Sequence, residues 1–297
     1  MTTLELSTGD SIQKALSSAP EGPLTLILDE GTWNEKVTVN RPEVTLISEC
    51  GAVISYSDRH GMEKDGHILN TGDSATFTVA APDFQAIGVT FLNSFNWNEG
   101  HNWNDEHEDE KIDLQAVALR TVFGAGKSTF RSCTFTSWQD TLYLDYGVSS
   151  FEDCTVSGNI DFIFGSASAL FQGCEIISRG KGCVTAPSTY AGEEIGFIFH
   201  DSSFTHEDIV DDSSVYLARP WFPAGSTNRR PMALFIDCEL SSHINSALWT
   251  DMTTRKPGGE EIIHKAADAR FFITSQEREN ITGEEADEVM SHLLSRL

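Results

Sequence analysis

Basic residues are scarce in this sequence. Its 297 residues include 20 Lys and Arg against 45 Asp and Glu, which gives a formal net charge of −25. This excess of negative charge argues against nucleic acid or an anionic membrane surface as a partner. The sequence also lacks a run of the ~18 apolar residues that a membrane-spanning helix needs. A soluble globular protein is therefore expected, and a hydrophobic content of 39% suffices for a sizeable core.

Targeting and metal-binding motifs are missing as well. The N-terminal segment has no basic region followed by an apolar one, so a signal peptide is not predicted. As it reads, the chain is expected in the cytoplasm, and a secreted enzyme whose leader has been removed is the alternative. CxxC and HxxxH spacings are absent, so no metal site is predicted. The six cysteines fit buried thiols as well as disulfides.

A short motif recurs about every 20 residues through the middle of the chain. Its copies begin with Phe and alternate in polarity, as half-buried strands do. They are FRSCTF from Phe130, FEDCTV from Phe151, FQGCEI from Phe171, the weaker FHDSSF from Phe199 and FIDCEL from Phe235, and an earlier candidate, FQAIGVTF from Phe84. Turn residues such as Gly147, Gly158 and Gly180 separate the copies. Short strands at this period, without helical periodicity between them, predict a β-solenoid in which Cys133, Cys154 and Cys174 form a ladder.

Both ends of the solenoid are predicted to carry a short helix as a cap. GDSIQKALSS reads as a helix that Asp10 or Ser11 caps. Near the C-terminus, Thr282 and Glu285 form a capping box, followed by an apolar face. That face consists of Val289, Met290, Leu293 and Leu294. No composition break divides the chain, so residues 1–297 are predicted to be a single domain.

Two acids stand one repeat apart in apolar surroundings. Asp161 lies in GNIDFIFG, and Asp140 lies in WQDTLYLD. The repeat places them on adjacent strands, roughly 4.8 Å apart at the backbone. At ~5 Å and an effective dielectric constant of ~20, two carboxylates repel by roughly 3 kcal/mol, or about two pKa units. One carboxyl is then protonated while the other is ionised, which suits an acid beside a nucleophile or base. A ladder of solvated surface acids is the alternative.

Three further polar residues fit the same site. Arg219, in YLARPW, is a candidate partner for a buried carboxylate, although it could equally pair with another acid in a loop. Gln115 and Gln139 carry amides that could stabilise an oxyanion. Buried amides are also common structural features, so neither Gln is diagnostic alone.

These motifs resemble those of the pectin methylesterases, or pectinesterases. The shared segments occur in the same order and at similar spacing from about Ile12 to Gln276. They are GTWNEKV, QAVALR, QDTLY, GNIDFIFG and ARPW, and the bacterial branch is further suggested by GCVTAPST, SHINSALWTDM and ARFFIT. The resemblance implies an all-β fold, a right-handed parallel β-helix with short terminal helices.

The resemblance also implies hydrolysis of methyl esters on homogalacturonan, with release of methanol. It implies that Asp161 is the nucleophile and Asp140 the acid and then the base. The other implied roles are oxyanion donors for Gln115 and Gln139, orientation of Asp161 for Arg219, and sugar contacts for Trp221, Trp249, Phe162 and Tyr143. No cofactor is implied, and the chain is expected to act as a monomer on a methyl-esterified polysaccharide or oligosaccharide.

Two features depart from the family pattern. Trp33 stands where Tyr is common, Asn159-Ile160 where Thr-Val is common, and Ala218 where Gly is common; these changes are expected to reshape subsites. The acidic segment 95–113 is predicted to be a solvated loop at the rim of the cleft, with a metal site or sugar contacts by Trp97 or Trp103 as the alternatives. Its acids suggest a preference for highly esterified or short substrates.

Other functions stay open on the residues alone. A polysaccharide lyase usually needs a cationic base and often calcium, whereas the predicted site has one Arg. A glycoside hydrolase would use two carboxylates at a glycosidic bond. A different ester substrate is also compatible with the same machinery. A non-catalytic carbohydrate-binding solenoid is disfavoured because both acids are present.

Overall fold

The chain folds into a right-handed parallel β-helix, which confirms the predicted fold class. The computed structural model describes residues 1–223, 226–255, 259–274 and 280–297. Two large sheets run along the solenoid. The first sheet has ten parallel strands: Thr2–Leu6, Leu24–Leu28, Val44–Ile47, Phe84–Ile87, Lys127–Arg131, Val148–Glu152, Ser168–Gln172, Phe197–His200, Met232–Ile236 and Arg270–Thr274.

The second sheet contains the strands that return along the other sides of each coil. Its members are Gly31–Asn34, Val37–Val39, Ala52–Tyr56, Phe77–Val79, Thr90–Asn93, Leu119–Thr121, Thr134–Thr136, Leu142–Leu144, Thr155–Gly165, Glu175–Pro187, Ser203–His206, Val215–Ala218 and Glu239–Leu240. Two small antiparallel hairpins lie outside the sheets, formed by Glu63–Lys64 with His67–Ile68 and by Met252–Arg255 with Glu261–His264.

Phenylalanine rings stack through the core of the first sheet. The register pairs Phe130 with Phe151, Phe151 with Phe171, Phe171 with Phe199, and Phe199 with Phe235. Successive ring centroids lie 4.8, 4.6, 4.7 and 4.9 Å apart, close to the strand spacing, and the rings are nearly parallel. The predicted copy at Phe84 lies in this sheet but is offset by two residues, since Ala86 is the partner of Phe130.

A second ladder follows each Phe at the turn out of the first sheet. Cys154 and Cys174 lie 3.5 and 3.4 Å from the carbonyl oxygen of the Phe one coil earlier. Ser202 takes the same place in the next coil and donates to Phe171 O at 3.2 Å. All six cysteines are free thiols, so the disulfide alternative is wrong and the structural ladder is confirmed.

The terminal helices form where the capping signals predict them. Ile12–Ser18 begins after Ser11, whose side chain accepts from the backbone of Lys14. Gly283–Leu294 begins at the capping box of Thr282 and Glu285. Within the C-terminal helix, Leu293 is buried, whereas Leu294 is 54% exposed because the packed face turns toward Ala286 instead. The structure also has two 3₁₀ turns, Gly72–Ser74 and Ala266–Asp268. In the part of the chain that the structure describes, no helix is long and apolar enough to cross a membrane.

The acidic segment 95–113 is predicted to be a loop, and this prediction is wrong for part of the segment. Trp97–Glu106 forms a helix. Asn96 caps this helix by accepting from the backbone of Glu99. Trp97 stacks on Trp138 at 5.4 Å and on His101 at 4.7 Å, so it anchors the helix to the solenoid. A sugar contact by Trp97 or Trp103 stays a prediction.

Candidate active site

Asp140 and Asp161 occupy equivalent places on neighbouring coils, as the repeat predicts. The backbone N–H of Asp140 donates to the carbonyl of Ile160 at 3.1 Å, which joins the two coils beside both acids. Both residues have a left-handed backbone, with φ of 69° at Asp140 and 49° at Asp161. Asp tolerates this conformation better than most residues, and such conformations concentrate at functional sites.

An irregularity in the long strand Thr155–Gly165 turns Asp161 toward the cleft. The pairing of this strand with Glu175–Pro187 shifts register on both sides of Ile160, and such bulges redirect side chains. Gly158, predicted as a turn, lies inside this strand; a Cβ there would meet the Phe162 Cβ at 2.3 Å. Gly180 likewise lies inside a strand rather than at a turn.

Phe162 is part of the core, so the predicted sugar contact at this residue is wrong. It is fully buried, whereas its neighbour Asp161 faces the cleft. Successive side chains of a strand point to opposite faces. A cleft-facing Asp161 therefore places Phe162 inside the solenoid.

Arg219 binds both carboxylate oxygens of Asp161. Its Nε donates to Oδ1 and its Nη2 donates to Oδ2, each at 2.7 Å. The pair is largely shielded, with side-chain exposures of 29% for Arg219 and 14% for Asp161. Burial opposes the charge of Arg219, but the Asp161 carboxylate outweighs it and raises the pKa of the guanidinium. This bidentate pair fixes the orientation of the Asp161 carboxyl.

Asp140 has the opposite environment. It is only 8% exposed, and within the described ranges its carboxyl has no hydrogen-bond partner. Burial, followed by the charge of Asp161, raises the pKa of Asp140 well above its ordinary value, and Arg219 only partly offsets the increase. Asp140 is therefore held in its protonated form beside the Asp161 carboxyl that Arg219 binds.

Gln115 and Gln139 lie side by side next to the two acids. They form an isolated parallel bridge, and the N–H of Ala116 donates to the carbonyl of Gln139 at 3.1 Å. Oε1 of Gln115 is buried with no partner among the residues described, so the amide presents its NH₂ group to the cleft. Both amides are thus available as donors beside the carboxyls.

The acids and amides open into one cavity of about 500 Å³. It brings together Asp140, Asp161, Gln115, Gln139, Arg219, Tyr143 and Trp221 from the predicted set. Tyr143 stacks on Phe164 at 4.4 Å, and the edge of Trp221 meets Phe164 at 5.5 Å. These rings pack with Ala186 and Met252 into an apolar wall that can receive a methyl group.

Trp249 does not reach this cavity, which corrects its predicted sugar contact. It packs against Phe235 at 5.7 Å and Phe271 at 5.5 Å, on the edge of the main core. The departures from the family pattern also lie outside the cavity lining. Trp33, Asn159 and Ala218 are buried at 3%, 2% and 0% exposure, and Ile160 is half-buried, so the expected reshaping of subsites is not seen at this cavity.

Sequence patterns did not predict several residues that line the cavity. They are His60, Asn70, Thr71, Gly72, Arg120, Phe164, Ala186, Met252, Thr253 and Thr254. Most come from loops and a hairpin far away in the chain, where no repeat position connects them to Asp161. Phe164 carried a usable signal, because it stands one repeat after Tyr143, a predicted site residue, and pairs with it in the sheet.

A separate cluster has ligand types suited to a metal ion. His200, Asp201 and Asp237 place one ligand atom each within 4.8 Å of one another. These residues lie at the turns that leave the first sheet, outside the lining of the cavity described above. His200 Nδ1 already contacts Gln172 Oε1 at 2.6 Å. Exposed clusters of this kind are common, and this one carries no functional assignment.

Comparisons with known proteins point in one direction. Residues 5–258 match the sequence profile of the pectinesterase family. The chain is 31% identical to pectinesterase A of Dickeya chrysanthemi, across 94% of this chain and 84% of that relative. It is similar to the solved pectin methylesterase PemA of Erwinia chrysanthemi, with a TM-score of 0.88 and 30% identity over 99% and 96% of the two chains. A pectin methylesterase solved in complex with a hexasaccharide matches with a TM-score of 0.88 and 31% identity, over 97% and 93% of the chains.

Proposed function

The chain belongs to the pectinesterase family, and we propose that Asp161 and Asp140 carry out its ester hydrolysis. It is a carboxylic ester hydrolase that removes methyl esters from homogalacturonan and releases methanol. The observation that supports these roles is the bidentate Arg219–Asp161 pair beside the buried Asp140. That arrangement orients Asp161 for attack, and the raised pKa of Asp140 keeps a proton available beside it.

In the first step, an Asp161 oxygen attacks the ester carbonyl carbon and forms a C–O bond. The carbonyl electrons move onto oxygen, and the amide donors of Gln115 and Gln139 stabilise the resulting oxyanion. When the carbonyl re-forms, the bond to the methoxy group breaks. Asp140 transfers its proton to the departing oxygen, so methanol leaves and a mixed anhydride remains on Asp161.

The second step reverses the role of Asp140. As a carboxylate, it accepts a proton from water while the hydroxyl oxygen adds to the galacturonyl carbonyl carbon. The collapse of this intermediate breaks the bond to Asp161 and releases the product as a carboxylic acid, which loses its proton to solvent to give galacturonate. Asp140 is left protonated and Asp161 ionised, ready for another cycle. Arg219 holds Asp161 in one orientation throughout, because both of its carboxylate oxygens are engaged.

The apolar wall explains how a methyl ester is accommodated. Tyr143, Phe164 and Trp221 surround one side of the cavity, and the two amides occupy another. A neutral ester group loses little hydration against such a wall, whereas a product carboxylate would be repelled by the negative charge of Asp161. The site therefore favours the ester over its own product at the reacting position.

Replacement of the nucleophile provides the direct test. We expect Asp161→Asn to lower methanol release from methyl-esterified oligogalacturonate by at least about 10³-fold, because the amide cannot form the anhydride. Asp153→Asn is a matched control, since Asp153 has a similar φ of 52° but lies at a turn outside the cavity. Its activity should stay within about twofold of wild type. Full methanol release by Asp161→Asn would refute the proposed role.

A further inference from the structure

The cavity contains two arginines whose hydrogen bonds differ. Arg219 is engaged by both oxygens of Asp161. Arg120 lines the same cavity, but its Nε is buried without a partner among the described residues, and its terminal nitrogens donate to none of them. Its nearest anion, Asp145, lies 4.0 Å from Nη2, beyond hydrogen-bond distance. The guanidinium of Arg120 thus has donors to spare inside the substrate cleft.

The unused guanidinium is nevertheless held in a fixed place. Its Cζ lies 5.0 Å from the centroid of the Tyr143 ring, within cation–π range. On another side it packs against Gly72, where a Cβ would lie 2.3 Å from Arg120 Nη1. The backbone of Gly72 and the ring of Tyr143 therefore confine Arg120, so little rotamer entropy is left to lose when a ligand binds.

The other cationic side chains nearby already donate hydrogen bonds to carboxylates. A second cavity of about 390 Å³ adjoins the first and shares Gly72 and Arg120 with it. Lys36 and Lys64 line this second cavity, and both hydrogen-bond the buried carboxylate of Asp58, at 2.7 and 2.9 Å. Among the described Lys and Arg side chains that line the two cavities, Arg120 alone makes no hydrogen bond.

We infer that Arg120 is a specificity-determining residue that binds the free carboxylate of an unesterified galacturonate ring close to the ring under attack. The inference rests on the proposed function, because it assigns part of that substrate to the border between the two cavities. A guanidinium presents paired donors that match a carboxylate, and the charge-assisted bonds are roughly twice as strong as those to a neutral ester. The chain has an excess of acids elsewhere, so Arg120, whose donors make no hydrogen bond to the described residues, is the point at which a single free carboxylate is accepted.

The test compares two oligogalacturonates of equal length, one fully methyl-esterified and one with a single free carboxylate. For each enzyme the readout is the ratio of kcat/KM on the second substrate to that on the first. We expect Arg120→Gln to lower this ratio by about tenfold. Arg120→Lys, which keeps the charge but loses the paired donors, should give an intermediate ratio. Arg131→Gln is a matched control for lost charge, since Arg131 pairs with Glu152 on the first sheet, away from both cavities.

A ratio for Arg120→Gln within twofold of wild type overturns the inference, whatever its absolute rate. If Arg120→Gln does not fold, an unchanged ratio in Arg120→Lys overturns it instead. Failure of wild type to release methanol would contradict the proposed function, and Arg120 can then be tested separately. In that case, calorimetry measures unesterified trigalacturonate binding to wild type and to the Arg120 variants. Equal affinities would overturn the inference, whereas about tenfold weaker binding by Arg120→Gln would support it.

Discussion

The first sheet and the cleft use the same one-coil stacking with opposite energetic results. In the first sheet, Phe130, Phe151 and Phe171 stack ring on ring at 4.8 and 4.6 Å, and all three are fully buried. In the cleft, the equivalent stacking brings Asp140 beside Asp161. Like apolar groups gain from such proximity, whereas like charges repel. The solenoid repeats the same distance between side chains from coil to coil. Apolar side chains at that distance stabilise the fold, whereas two carboxyls at that distance form a reactive pair.

The contrast shows how a stable scaffold supports a costly site. Stacked phenylalanines, together with the thiol and hydroxyl ladder behind them, hold the coils in register. Only Arg219 compensates the acidic pair, and it neutralises Asp161 directly while leaving Asp140 without a partner among the described residues. Of the two equivalent carboxyls, Asp161 is paired with Arg219, whereas burial and the charge of Asp161 raise the pKa of Asp140, and this difference suits an acid beside a nucleophile.

The largest loss of activity is expected when one acid of the Asp140–Asp161 pair is replaced by its amide. Asp140→Asn removes the proton donor, so methanol release should fall by about 10³-fold. An ester with a better leaving group, such as a p-nitrophenyl ester, needs less protonation, and this variant should lose much less activity on it. Asp161→Asn should be impaired on both esters, because it lacks the nucleophile. Equal losses for Asp140→Asn on the two esters would remove the distinction between acid and nucleophile.

Removal of a ring from the phenylalanine stack is expected to have a smaller effect, which is limited to the stability of the fold. Phe151→Ala leaves a cavity between two rings and should lower the free energy of unfolding by about 3–5 kcal/mol. Phe123→Ala is the control, since Phe123 is 83% exposed and its loss should change stability by less than about 0.5 kcal/mol. Urea denaturation would measure both. A Phe151→Ala variant as stable as the control would mean that the stack does not support the coils.

The smallest effect is expected in the thiol ladder. Cys154→Ser should cost only about 1 kcal/mol, because Ser202 already fills the same place in a later coil and bonds the Phe171 carbonyl at 3.2 Å. A reducing agent should leave the unfolding midpoint unchanged, since all six cysteines are free. A large drop in the midpoint under reducing conditions would indicate a disulfide that the structure does not contain.

The repeat made much of this architecture predictable. Its period alone placed Asp140 and Asp161 on neighbouring coils, and the Phe and Cys positions predicted the core ladders from Phe130 onward. The capping signals at Ser11 and Thr282 were sufficient to locate both terminal helices. Each of these features depends on local spacing, which the sequence records directly.

What the repeat could not predict depends on contacts between distant segments. The pairing of Arg219 with Asp161 joins residues that no repeat period relates, and the resemblance rather than the spacing suggested it. Phe162 was misplaced because proximity in sequence to Asp161 was given more weight than strand alternation. Trp249 was misplaced because nothing near it in sequence indicates its packing on Phe235 and Phe271. Arg120 was overlooked because its importance lies in the hydrogen bonds it does not make.

Protonation of Asp140 also determines how pH acts on the protein. Because its pKa is raised in the folded state, the folded protein binds a proton that the unfolded chain releases at lower pH. This contribution to stability is fully present below the unfolded pKa of ~3.9 and is lost as the pH rises through the folded value. Methanol release should also decline as the pH rises through the folded pKa of Asp140, since Asp140 must begin the cycle protonated.

The most direct measurement is a titration of the Asp140 carboxyl by ¹³C NMR, in wild type and in Asp161→Asn. We expect wild-type Asp140 to titrate well above ~3.9. In Asp161→Asn its pKa should fall but remain elevated, because burial is the larger cause and the charge of Asp161 the smaller one. An Asp140 that titrates near 4 in wild type would contradict the central claim that burial and the charge of Asp161 together hold Asp140 protonated.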